Sequence, residues 1–123
     1  MEKMSNGCYK LYFIQLSPKE GGNIVYKIGI TEYKDALHRF SSIIDQFNIK
    51  VLCTLIFKSK EKAEAFESLF LSIYNNWPSK EELDLYSSII GQGEIRSMTN
   101  GEKMELLNFM FMLRNNSKNS IVL

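Results

Sequence analysis

Two strand-like runs joined by a glycine-bearing turn constrain this chain more than any other feature. Residues 8–16 read CYKLYFIQL and residues 24–30 read IVYKIGI. Both are rich in aromatic and β-branched side chains, the composition of strands. Between them, SPKEGGN at 17–23 carries a proline, two glycines and an asparagine, which is turn chemistry. Strands closed by so short a loop pair antiparallel by default, so the fold must be built on this hairpin.

Beyond the hairpin the hydrophobic period changes. From Thr31 to about Asn48, the residues Tyr33, Ala36, Leu37, Phe40, Ile43, Ile44 and Phe47 share one stripe at about 100° per residue, predicting an amphipathic helix. KVLCTLIF at 50–57 is a continuous apolar run and predicts a strand buried on both faces. Ser59 ahead of KEKAE predicts a helix N-cap. The helix it opens carries Ala63, Phe66, Leu69, Phe70, Ile73, Tyr74 and Trp77 on one face and stops at Pro78. A short helix around Glu81–Ser87 follows, then GQGEIRSM as a turn and short strand.

Gly101 precedes a last helix, 102–114, which is apolar nearly all round: Met104, Leu106, Leu107, Phe109, Met110, Phe111, Met112 and Leu113. Such a helix has no conventional polar face; core packing is the commoner reading, and homodimerisation through the apolar area left over is the alternative. RNNSKNSIVL reads as a tail that is mobile at its start. The element order is ββαβα, then a short strand and a final helix. That predicts an α/β (α+β) fold with a small, mainly antiparallel three-stranded sheet flanked by helices. A chain of 123 residues has room for one domain, placed at 1–114 with a C-terminal tail at 115–123.

Composition narrows the function classes. With 45% hydrophobic and 24% charged residues, the chain suits one compact core. Fifteen basic and fourteen acidic side chains leave a net charge of +1, unlike a protein that grips a long duplex through its phosphates. Any contact with nucleic acid must come from a local patch. Two isolated cysteines, Cys8 and Cys53, imply no disulfide framework, and with one histidine are too few for a zinc site. The N-terminal MEKMSNGCYK has no signal-peptide run, and no stretch approaches the roughly 20 apolar residues of a membrane span. These features predict a soluble, intracellular protein with no membrane partner.

The residues Leu11-Tyr12-Phe13, then Val25-Tyr26-Lys27-Ile28-Gly29-Ile30-Thr31, then Arg39 resemble the GIY-YIG nuclease superfamily. The likeness is closest to the branch of phages and large DNA viruses that writes the second motif as YKIG. It covers about residues 9–97, and GEIRSM at 93–98 resembles the late acidic strand motif. The resemblance implies a small sheet flanked by helices and hydrolysis of DNA phosphodiesters with one divalent cation, Mg²⁺ or Mn²⁺. It implies a viral or phage protein acting on DNA, branched, nicked or otherwise distorted; a domain with few groups for reading base edges is expected to have low sequence specificity.

Carried over by position, Tyr12 matches the first-motif tyrosine, Lys27 stands at the second-motif tyrosine, Arg39 at the phosphate-contacting arginine and Glu67 at the metal ligand. The chain departs from the pattern at Lys10, where the leading glycine is expected, and at Lys27. Tyr26 replaces the missing hydroxyl only if the strand register shifts, because neighbouring side chains on a strand face opposite ways.

The residues themselves leave alternatives open. Glu67 lies about 100° from Phe66 on the helical wheel, at the border of the apolar stripe, where a half-buried acid suits a hard cation. Glu61 and Glu64 fall on the polar side. Arg39 lies at the border of its own helix, so Arg39 and Glu67 could equally form a structural ion pair. Tyr12 is the favoured base with Lys27 as electrostatic helper, against core packing for Tyr12 and a solvent-side position for Lys27. Three functions therefore stand: a metal-dependent endonuclease, an inactive relative binding DNA or a protein partner, or a structural domain with no site.

Overall fold

The computed structural model describes residues 8–32, 46–86 and 94–116, together with the backbone of 121–122. It is an α+β fold. The hairpin forms as the sequence requires: β1 (Tyr9–Pro18) pairs antiparallel with β2 (Val25–Thr31). Gly21 and Gly22 supply the turn with φ of 97° and 138°, a region closed to most side chains. The third strand, β3 (Phe47–Phe57), pairs antiparallel with the other edge of β1. After it come α1 (Lys60–Ile73), α2 (Lys80–Leu85), β4 (Ile95–Arg96), α3 (Asn100–Asn115) and β5 (Ile121–Val122).

The sheet order is β4-β2-β1-β3-β5, with β4 antiparallel to β2 and β5 parallel to β3. Four strands thus make the antiparallel body, one more than the three expected. The short GEIRSM strand joins the sheet at the free edge of β2, and β5 falls within the segment read as a tail.

Two cores lie on the two faces of this sheet. On one, Leu11, Phe13, Tyr26, Ile28, Leu55 and Phe57 pack against Ala63 and Phe70 of α1 and Leu106 and Met110 of α3. On the other, Tyr12, Ile14, Leu16, Val25, Phe47 and Ile95 pack with Tyr86, whose ring stacks on Phe47 at 4.8 Å.

Two boundaries differ from expectation. Thr31 does not open a helix; it ends β2 opposite Lys10. Phe47 and Asn48 do not close one, because they already pair with Pro18 and Ser17. The stretch 33–45, including Arg39 and His38, lies outside the described residues. The run at 50–57 is not buried on both faces either: Lys50 and Val51 are exposed, and burial alternates from Cys53 to Phe57. The β1–β3 register slips between Phe13 and Ile14, and such a slip exchanges the faces that alternate residues occupy. Phe47 therefore reaches one core while Cys53, Leu55 and Phe57 reach the other. The continuous apolar run records that exchange.

The helices are closed by side chains at their starts. Ser59 accepts from the Lys62 N–H as the N-cap of α1. Ser79 with Glu82, and Thr99 with Glu102, form reciprocal capping boxes on α2 and α3. Helix α1 ends at Ile73, before Trp77, and Tyr74 caps it. The Tyr74 hydroxyl donates to Glu105 of α3 at 2.7 Å, tying the two helices together. Among the described residues no helix is long and apolar enough to cross a membrane.

Candidate active site

Strand alternation sets the site. Tyr12 on β1 and Gly29 on β2 are cross-strand partners, two residues from the Ile14–Lys27 pair, so Tyr12, Lys27 and Gly29 share a face. Tyr12 and Lys27 are both fully buried, and the Lys27 ammonium lies 5.8 Å from the centre of the Tyr12 ring. Gly29 permits this: a Cβ on it would sit 2.3 Å from the Tyr12 hydroxyl oxygen and 3.0 Å from a Glu94 carboxylate oxygen. The bland expectation for Lys27, a solvent-side place on an alternating strand, is not what the fold provides.

Glu94 stands immediately before the edge strand β4. It ion-pairs with the Lys27 ammonium and keeps part of its carboxylate in solvent. A buried lysine needs such a partner, since an uncompensated ammonium away from water is costly. Across from it, Glu67 of α1 is half-buried and lies near enough to Glu94 to feel its charge. Burial first, then the nearby Glu94 charge, pushes the Glu67 carboxyl up to about 7, against the opposing pull of Lys27. Glu61 and Glu64 are exposed, as their place on the polar side of the helix requires.

Two neighbouring carboxyls repel when both are charged, and a cation between them relieves that repulsion. The donor set suits a hard divalent cation, which takes oxygen ligands; magnesium in particular is held by one or two carboxylates plus water and substrate phosphate. Among the described residues no group of three or more His, Cys, Asp or Glu that could hold a metal ion gathers in one place.

The fold thus brings together Tyr12, Lys27 and Glu67. It does not bring in Tyr26, which alternation turns to the opposite face of the sheet. There its ring packs on Phe13 at 5.8 Å between centroids, and burial raises its hydroxyl above the usual range. No register shift occurs between β1 and β2 to bring it round. Arg39 lies outside the described residues.

Sequence reasoning missed Glu94 and Arg96. Both sit in GEIRSM, a piece singled out as an acidic strand motif but given no role residue by residue. Their signal was a carboxylate and a guanidinium flanking Ile95 in a run too short to show a period. Arg96 is 5% exposed and covered by Trp77, whose ring centre lies 4.1 Å from its Cζ. Burial lowers its pKa from the ordinary guanidinium value, and the Glu94 charge opposes that shift.

Away from this cluster, a cavity of about 300 Å³ opens between α1 and α3, lined by Leu69, Phe70, Ile73, Tyr74, Leu106 and Phe109 among others. Compared with protein families, with curated proteins and with solved structures, the chain matches none.

Proposed function

We propose that this chain is a metal-dependent DNA endonuclease of GIY-YIG type, hydrolysing phosphodiester bonds with low sequence specificity. One observation carries the reading: a tyrosine, a lysine and two carboxyls far apart in sequence cluster together, with Gly29 leaving room for Tyr12 and Glu94. Core packing alone gives no reason to bury a lysine and place two carboxyls close together.

In this reading Glu67 and Glu94 hold one Mg²⁺ or Mn²⁺, which when bound neutralises charge on the phosphate as it is attacked. Tyr12 lies beside the buried Lys27 ammonium, 5.8 Å from ring centre to nitrogen. By its place in the motif Tyr12 is the base that takes a proton from water, and Lys27 is its electrostatic helper. A lysine committed to an ion pair with Glu94 is a poor base, which divides the two roles. Gly29 keeps the space between Tyr12 and Glu94 free of a side chain. Arg39 enters on the resemblance alone, as the fork that pairs with the phosphate. The domain has few groups for reading base edges, so low sequence specificity follows. An intracellular setting is part of the same proposal.

A second reading is favoured by the departures at Lys10 and Lys27: an inactive module that binds DNA or a protein partner. Exposed Leu69 and Ile73 on α1, with Phe109 and Met112 on α3, would then serve as a partner surface, a second copy of the chain included. Titration with Mn²⁺ separates the readings. The nuclease reading expects binding that is lost in Glu67→Ala; the inactive module expects salt-dependent DNA binding with no metal affinity.

A further inference from the structure

Trp77 is the one tryptophan of the chain, and it is 52% exposed. One face of its ring stacks on the Arg96 guanidinium. A ring covered on one side and half exposed presents its other face to solvent.

The segment that carries it is pinned at both ends. Tyr74 donates its N–H to the Phe70 carbonyl at 2.9 Å, and the Asn76 carbonyl accepts from the Ser97 N–H at 2.7 Å. The Asn76 amide donates to Glu102 at 3.3 Å. Pro78 is buried, and Ser79 caps α2. Trp77 is thus held at the surface, against a cation that follows Glu94 by two residues. Two residues span about 7 Å of extended chain, close to one nucleotide of a single strand.

We propose that Trp77 is a stacking platform for an unpaired DNA base on the flank of the Glu67–Glu94 site. The substrate class is then DNA with an unpaired or extruded nucleotide beside the scissile phosphate, such as a flap or a branch. This inference rests on the nuclease reading. Duplex bases are stacked on one another and offer no free face, whereas an unpaired base gains a partner. Such stacking is sequence-tolerant and contributes on the order of tenfold in affinity per base. Arg96 beneath the ring adds positive charge next to the strand.

A lone tryptophan lets its own emission report the contact. The full chain, in EDTA to prevent cleavage, is titrated with a single-stranded oligonucleotide, a flapped duplex and a blunt duplex. Binding is followed in parallel by the anisotropy of labelled DNA. The proposal expects saturable quenching by the single strand and the flap at the concentrations where anisotropy rises. It expects blunt duplex to bind about tenfold more weakly and to leave emission nearly unchanged. Trp77→Leu keeps an apolar cover on Arg96 but removes the ring, and should bind flapped DNA about tenfold more weakly with duplex binding unchanged. Trp77→Phe should keep most of the affinity. Flapped DNA that binds without changing wild-type emission overturns the platform and leaves the nuclease reading standing. That arm decides the matter even if the leucine variant fails to fold. Absence of binding to any of the three DNAs overturns both.

Discussion

Gly29 faces Tyr12 across the hairpin so closely that a methyl group at its Cα would lie 2.3 Å from the phenolic oxygen and 2.5 Å from Cζ. Gly29→Ala should therefore cost about 1–3 kcal/mol of stability, the usual range for overpacking, measured by urea unfolding. The cost should persist in a Tyr12→Phe background, because Cζ remains in the way. It should largely disappear in a Tyr12→Ala background.

The ion pair between Lys27 and Glu94 gives a second test. Glu94→Ala leaves the ammonium of a fully buried lysine without this counter-charge. Breaking a buried pair costs roughly 3–5 kcal/mol, and the solvent reached by Glu94 puts this case at the lower end. Lys27→Met combined with Glu94→Ala removes both charges and should recover most of the loss. Equal stability of the single and double variants would show that the pair does not hold Lys27 in place.

Glu67 predicts a direction for pH dependence. A carboxyl whose folded-state pKa is raised binds its proton more tightly folded than unfolded. Its contribution is full below the ordinary value of 4.5 and is lost as pH rises through about 7. Wild type should therefore lose Tm relative to Glu67→Gln across that window and run parallel to it at higher pH. At pH 8, Mg²⁺ or Mn²⁺ should raise the Tm of wild type and leave Glu67→Gln unchanged.

The sequence made the hairpin, the start of α1 and the two later helices legible, because their signals are local. Turn glycines and Ser59 before a charged turn each act within a few residues. The site was legible in part for the same reason. Tyr12 and Lys27 lie on strands whose alternation fixes their common face, and the border position of Glu67 on its helix fixes its half-burial. The remainder depended on contacts far apart in sequence. Glu94 meets Lys27 from 67 positions away, and no periodicity announces that meeting. The exchange of faces along β3 comes from a slip against β1, whose place is set by the pairing and not by the run alone. Trp77 fits the spacing of the α1 stripe, yet the Asn75-Asn76 pair and Pro78 favour leaving the helix before it, since the residue ahead of a proline avoids helical geometry.

Light scattering tests the surface between α1 and α3. A dimer that uses it should be lost in Phe109→Glu, which adds charge at an exposed ring, with folding unchanged by circular dichroism. A wild-type monomer at micromolar concentration would remove the second copy as its occupant.

The most direct test of the central claim is cleavage of plasmid and branched DNA in Mg²⁺ or Mn²⁺ by wild type and Glu67→Ala. Wild type should cleave in a manner that EDTA abolishes, and Glu67→Ala should lack that cleavage while keeping its fold. Cleavage of equal strength by both proteins, or none by wild type with either metal, would contradict the claim.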